Sequence, residues 1–451
     1  MSNRFQWHDI RLVPVLHNRM EFAVEVNRQF QEFQPDALTV EFPATLKEKI
    51  LKAVERLPLI SVVFYEDTDG TFIYLPIEPT DPQVEAIRCG IEKGIPVHFI
   101  DRDTDEYPLD INSMPDSYAI KRIGHFNYCQ TYLKTVAVPS LLPEDVLREK
   151  SMAFELQKLS RTGQRIMHVG GLAHLPGLLE MLNRPQTRVI GRTRREGVGL
   201  AHLHQDSSRE VLTEMPFLIA AYEKARTDGM LDFIDRLDLN AALIKTAEDN
   251  HWKNSKEKLT AMQRRILFKF ARNYALVSGG LAPGFFQLVV AARGAADDNF
   301  AYEVWDKGSE YPWQSENPGL PVLFLDGEDL FLDQKSIRFH RRIKAMRRRL
   351  VAVPVKRRKR EKYPGEWRSK FKGLAICSYP PEDVVIEGYG RYLQKRALEI
   401  KAEGNSRIEP FTSSLLDGID LRETVRNWAE GRIYVRADRP VRGKVGSVVV
   451  I

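Results

Sequence analysis

The chain has 451 residues, of which 43% are hydrophobic and 28% charged, with a formal net charge of +6. That balance is ordinary for a folded globular protein of two or three domains and sets the chain apart from disordered ones. Three widely spaced cysteines, Cys89, Cys129 and Cys377, exclude a disulfide framework or zinc ribbon. The first residues lack an apolar signal core and no run of about 18 apolar residues occurs, so a cytoplasmic protein without a membrane span is expected.

The first apolar stretch, 12–16, runs into His17. Met20, Ala23, Val26, Phe30 and Phe33 then recur at helical spacing. A strand over 37–41 and a helix over 45–57 follow. Segments 60–65 and 71–75 flank Asp67-Thr68-Asp69-Gly70, whose Asp-Gly pair signals a turn between two strands. A helix starting at Asp81 ends near Gly94, and strand 95–100 leads into Asp101-Arg102-Asp103. Residues 103–142, rich in Asp, Pro and Tyr, read as irregular, either a lid or a helical insertion. Helix 143–161 has proline in its first turn with Glu144 and Asp145 beside it, as helix N-termini prefer. Strand 165–169 ends in Gly170-Gly171, His174 follows, and a helix spans 176–182.

Beyond Arg188, Arg192, Arg194 and Arg195 comes an apolar run, 198–203. Helices are expected over 208–226, 240–250, 255–277 and 283–296. From 338 to 372 basic residues dominate, with clusters at 347–349 and 356–360 and with Tyr363, Trp367 and Phe371 interleaved. The final run 448–451 is apolar and strand-like, so it is either a strand tucked into a sheet or a point past which the natural chain continues. Alternating strands and helices indicate an α/β fold. The expected architecture is a mixed central sheet flanked by helices, a largely helical middle region and a basic C-terminal α+β region. The expected divisions are 1–205, 206–335 and 336–451.

Strand ends in the first half deliver His17, Glu41, Arg102 with its flanking aspartates, and His174. Ligands of open α/β sheets bind in the crevice at such C-terminal ends. Glycines at 170 and 171 allow a tight turn and close approach of a ligand to the main chain. The pattern points to one pocket holding two histidines, a carboxylate and an arginine.

Four motifs occur in order: Pro35-Asp36-Ala37-Leu38-Thr39-Val40-Glu41, Asp101-Arg102-Asp103, Arg148-Glu149-Lys150-Ser151-Met152-Ala153, and Gly171-Leu172-Ala173-His174-Leu175-Pro176-Gly177. In this order they resemble the erythromycin esterase, TraB, ChaN and Tiki-like superfamily. The resemblance covers roughly residues 10–185. It departs at the first Gly-x-x-His motif, where Pro14 stands three residues before His17. It therefore bears on the fold more than on retained catalysis.

The resemblance implies hydrolysis of an ester, lactone or peptide bond in a small-molecule or peptide substrate. His17, Glu41, Arg102, Arg148 and His174 are the candidate catalytic set. His17, Glu41 and His174 could ligate a divalent metal that acidifies water. Without metal, a histidine would take the proton, the carboxylate would orient it, and Arg102 or Arg148 would hold the oxyanion or an anionic group. The alternative is a binding or assembly protein without catalysis, and a narrower one is haem binding of the ChaN type.

His202, His204 and Asp206 form a His-x-His-x-Asp pattern, open to a second metal site, to histidines that line the same cleft as His174, or to purely structural histidines, the favoured reading, with Ser207 where a further histidine would be expected. The 338–372 stretch fits a polyanion such as nucleic acid, an acidic protein partner, or an internal role. The acidic pairs at 297–298 and 326–329 are open to Mg²⁺ or to turns and caps, with caps favoured. No Walker loop is present, and the Gly-x-Gly at 388–390 is too weak to mark a nucleotide site.

Overall fold

The structure, a computed structural model, describes residues 4–66, 72–104, 114–135, 142–314, 319–323, 330–332, 335–337, 363–364, 406–410, 424 and 432–438. The turn at 67–70, nearly all of the basic stretch 338–372, the acidic run 326–329, the Gly-x-Gly at 388–390, Cys377 and the apolar end 448–451 lie outside the described residues. The chain divides into two compact units, Met1–Arg347 and Arg348–Ile451.

In the first unit, β1 (Phe5–Trp7) and β2 (Ile10–Val15) precede α1 (Met20–Phe33) and β3 (Ala37–Pro43). Then come α2 (Lys47–Glu55), β4 (Ser61–Glu66), β5 (Phe72–Pro76), α3 (Pro82–Lys93) and β6 (Val97–Asp101). Asp81 caps α3, accepting from the N–H groups of Gln83 and Val84, with Pro82 in the first turn. A Cβ at Gly90 would stand 2.5 Å from Val97 Cγ2 and 2.9 Å from Leu38 Cδ1, so glycine lets α3 lie close on the sheet.

The segment read as irregular holds α4 (Ile120–Ile123) and α5 (His125–Thr135). The inward face of α5 is His125, Tyr128, Cys129 and Tyr132. That spacing is helical, but polar and aromatic residues carry it where aliphatic ones were sought. Next are α6 (Pro143–Ser160), β7 (Ile166–Gly171), α7 (Leu175–Leu182) and β8 (Gly199–Leu203).

The main sheet has the order β1-β2-β7-β3-β6, parallel throughout except for the antiparallel β1 edge. Buried on both faces, β7 is its central strand. A second sheet pairs β5, β4 and β8 with β9 (Val322–Leu323). The fold is thus mixed α/β, with two mixed sheets flanked by helices.

Pro14 lies in β2 beyond the reach of β1, opposite Gly170 of β7. Its carbonyl points outward and accepts from His125 Nε2 at 2.7 Å. In a strand, N–H and C=O of one residue face the same side, so the missing proline N–H also faces away from β7. No ladder bond is lost.

The middle region is helical: α8 (Gln205–Val211), α9 (Pro216–Thr227), α10 (Arg236–Ser255), α11 (Ala261–Val277), α12 (Phe285–Ala295) and α13 (Asp298–Gly308). The helix expected over 208–226 is broken ahead of Pro216, since proline disfavours helical backbone in the residue before it. Asp297 caps α13 by accepting from Phe300 N at 2.8 Å. Helices α9 to α13 share a core with Met20, Ala23 and Val24 of α1, which seats them on the α/β layer. No helix among the described residues is long and apolar enough to cross a membrane. In the second unit, strands Ser406–Pro410 and Tyr434–Asp438 pair antiparallel.

Candidate active site

Each C-terminal end of the parallel strands contributes a polar side chain. β2 leads through Leu16 to His17, and Asn18 turns the chain with φ 51 while its N–H donates to Asp81 Oδ2 at 3.0 Å. β3 presents Glu41 where its pairing with β6 shifts register between Val40 and Pro43. β6 ends in Asp101, and β7 ends in Gly170-Gly171 before a short turn brings round His174. Helix α6 supplies Arg148 and Glu149, both buried.

The glycines stand in close approach to the site's side chains. A Cβ at Gly170 would lie 2.7 Å from His168 Nε2, and one at Gly171 would lie 3.1 Å from Glu41 Oε2 and 3.4 Å from His17 Nε2. At Gly177 a Cβ would stand 1.9 Å from Glu149 Oε2. Glycine there is what leaves room for a carboxylate beneath His174.

The side chains form a chain of alternating charge. His174 Nδ1 lies 3.2 Å from Glu149 Oε1, and its Nε2 lies 3.3 Å from Glu41 Oε1. Arg148 Nη2 donates to Glu41 Oε1 at 2.8 Å and to Asp101 Oδ2 at 2.8 Å, and its Nη1 reaches Asp145 at 3.4 Å. The N–H of Gly171 donates to Glu41 Oε2. At the mouth stands His17, its side chain 48% exposed, with Nδ1 3.7 Å from Asp81 Oδ2 and 3.3 Å from the Gln83 amide.

This arrangement sets the charge states. Burial opposes the charge on Glu41, yet His174, Arg148, His17 and the Gly171 N–H together hold its carboxyl down to about 2. Burial pushes Asp101 up despite Arg148. Lost solvation pulls both imidazoles down, but Asp81 and Glu41 outweigh it and raise His17, while Glu41 and Glu149 raise His174. Beneath them, burial drives His168 down to about 4, a neutral ring whose Nδ1 sits 2.9 Å from Thr39 Oγ1.

His17, Glu41, Arg148 and His174 line one cleft of about 840 Å³. Its opposite wall comes from Met114–Ser117 and from the α11–α12 connection, including Ser278, Gly279, Gly280 and Gly284. Asp116 Oδ2 fixes that connection by accepting from the N–H groups of Leu281 and Ala282. A mostly preformed concave site with a few convergent polar groups is the usual form of a small-molecule pocket.

Arg102 is placed elsewhere. Its guanidinium pairs with Glu144 and donates to the Ile190 carbonyl at 3.2 Å, and it does not line the cleft. β6 ends at Asp101, which faces Arg148, and Arg102 in the loop that follows turns to Glu144 and Ile190 instead. His202 and His204 are also apart from the cleft. His202 is buried in the second sheet beside Gln314, whereas His204 lies past the end of β8 and caps α8 by accepting from Asp206 N at 3.1 Å. Strand alternation stops at Leu203, so those two imidazoles do not share a face. The Asp206 side chain is 61% exposed.

Among the described residues no group of three or more His, Cys, Asp or Glu side chains is arranged to hold a metal ion. The chemistry of the cleft agrees. Both oxygens of Glu41 are engaged, and the Arg148 guanidinium occupies the side where a cation would bind. The donor set as arranged does not fit a metal centre.

Sequence reasoning missed Asp81, Gln83 and Glu149 as members of the site and named Asp101 only as a flank of Arg102. Glu149 had a signal, since it shares a helix face with Met152 and Leu156, which are buried. An acid on an otherwise apolar face requires a buried partner. Asp81 had none, because its position behind His17 depends on how α3 docks. None of the protein-family models, curated proteins or solved structures compared with the chain matches it.

Proposed function

We propose that the cleft is the active site of a hydrolase for an ester, lactone or peptide bond, related to the erythromycin esterase, TraB, ChaN and Tiki-like proteins. One observation carries the reading: His17, Glu41, Arg148 and His174, from different strands and one helix, line a single cleft at the C-terminal rim of a parallel sheet. The ordered sequence motifs support the kinship.

In this reading His17 is the general base. Its Nε2 borders the open cleft, and Asp81 behind Nδ1 stabilises the imidazolium formed when water gives up its proton. The hydroxide adds to the carbonyl carbon, and His17 returns the proton to the leaving group as the tetrahedral intermediate collapses. Protonated His174 and Arg148 supply positive charge toward the developing oxyanion, and Glu41 keeps both in place. Low-dielectric surroundings strengthen these interactions. No step requires a metal.

A second reading, binding without turnover, draws on the full engagement of Glu41 by Arg148, His174 and Gly171. The purified full chain assayed against ester, lactone and peptide panels separates the two. Turnover reduced about 10²–10⁴-fold in Glu41→Ala and His17→Gln supports hydrolysis. A folded protein inert on every class would leave the binding reading. Metal analysis and a check for a Soret band on the same sample test the metal and haem expectations.

A further inference from the structure

Helix α11 is unusual for a surface helix. It buries only Leu267, Ala271 and Ala275 and contains no Asp or Glu. Met262, Ile266 and Phe270 recur at i, i+4 and i+8 along one exposed stripe, with Val277 beyond the exposed Asn273, and the four apolar residues are 65%, 44%, 45% and 88% exposed. Arg265, Lys269 and Arg272, at i, i+4 and i+7, form the neighbouring stripe. All three are exposed and make no ion pair among the described residues, in contrast to Arg264, which is 2.7 Å from Glu248. A water-facing helix ordinarily shows polar residues there. Clustered exposed apolar side chains of this kind mark an interaction surface.

We propose that this face of α11 lies on an anionic bilayer surface. The apolar stripe would enter the boundary between headgroups and acyl chains, and the adjacent cations would meet lipid phosphates, the usual composition of a helix lying in the interface plane. Trp252, 44% exposed near the C-terminal end of α10, has the Lys256 and Lys258 ammonium groups 5.0 and 5.5 Å from its ring. An amphipathic ring flanked by lysines suits the same environment. Charge decides among occupants. A symmetric pairing of two α11 helices would give their cations no counter-charge from the facing helix, because α11 contains no Asp or Glu. Nucleic acid would match the cations but leave the apolar stripe in water. Since the inference rests on the surface of α10 and α11 and not on the cleft, it stands or falls separately from the hydrolase reading.

The test is co-sedimentation of the full chain with phosphatidylcholine vesicles, with and without about one third phosphatidylglycerol. Binding is expected only with the anionic lipid. Ile266→Ser/Phe270→Ser keeps every charge and should weaken binding at least about tenfold. Arg265→Gln/Lys269→Gln/Arg272→Gln should weaken it and flatten its salt dependence, and circular dichroism checks that both variants fold. Wild-type protein that stays in solution, or an Ile266→Ser/Phe270→Ser variant that sediments undiminished, would overturn the proposal. A dimer dissolved by the same double substitution, without vesicle binding, would replace it with self-association.

Discussion

Two buried arginines border the same cleft, each clamped between two carboxylates. Arg148 joins Glu41 to Asp101, and Arg236 joins Glu21 to Glu214. Around Arg236 the acids are met by fixed donors: Ser117 Oγ is 3.0 Å from Glu21, and the Met20 N–H reaches Glu214. That cluster ties α1 to the helical layer. Around Arg148 the same motif continues into His174 and Glu149, with His17 near. An arginine between two acids is therefore no mark of chemistry. What distinguishes the first cluster is imidazoles, which exchange protons in the physiological range, at its open end.

The largest effects break the comparison at its centre. Arg148→Met and Arg236→Met each remove the guanidinium that bridges two buried carboxylates, and each should cost about 3–5 kcal/mol in urea unfolding. Only Arg148→Met should also abolish hydrolysis in protein kept folded at low temperature. Equal activity in the two variants would erase the distinction.

Gly177→Ala sharpens it. The new methyl cannot coexist with Glu149 in place, so the carboxylate must leave His174 or the helix must shift, at about 1–3 kcal/mol. NMR titration should then show the His174 pKa moving back down, because a carboxylate that raises it has gone. An unmoved titration would show that Glu149 does not govern the ring.

The acid side of the stability curve gives a smaller effect. Glu41 is held at about 2 in the folded chain, below its unfolded value of about 4.3. Its contribution is present above the unfolded value and is lost as pH falls through the folded one. Glu41→Gln should therefore remove part of the stability loss between about pH 4.5 and 2. Parallel curves for variant and wild type would contradict the buried ion-pair assignment.

Much of the α/β layer was legible because its signals are local. Val97, Phe99 and Ile100 read as a buried strand, and Asp81-Pro82 and Gly94 bracket α3 in the order that caps require. His17, Glu41 and His174 were legible as strand ends. The direction of Arg102 was not legible, because it lies past the end of β6, where strand alternation no longer fixes the side. Asp81 was not legible as a site residue, since its part comes from tertiary docking. The helices α4 and α5 match the helical insertion that 103–142 left open beside a lid, but the bounds of α5 were not legible, because its buried face is built from His125, Tyr128, Cys129 and Tyr132.

The central claim, that His17 backed by Asp81 is the proton acceptor, is tested most directly by the pH dependence of kcat/KM. Asp81 raises the His17 pKa above its ordinary value, so activity should rise only as pH passes above about 6.5. In Asp81→Asn that limb should move to lower pH as the ring loses its carboxylate. A limb at the same pH in both proteins would contradict the account.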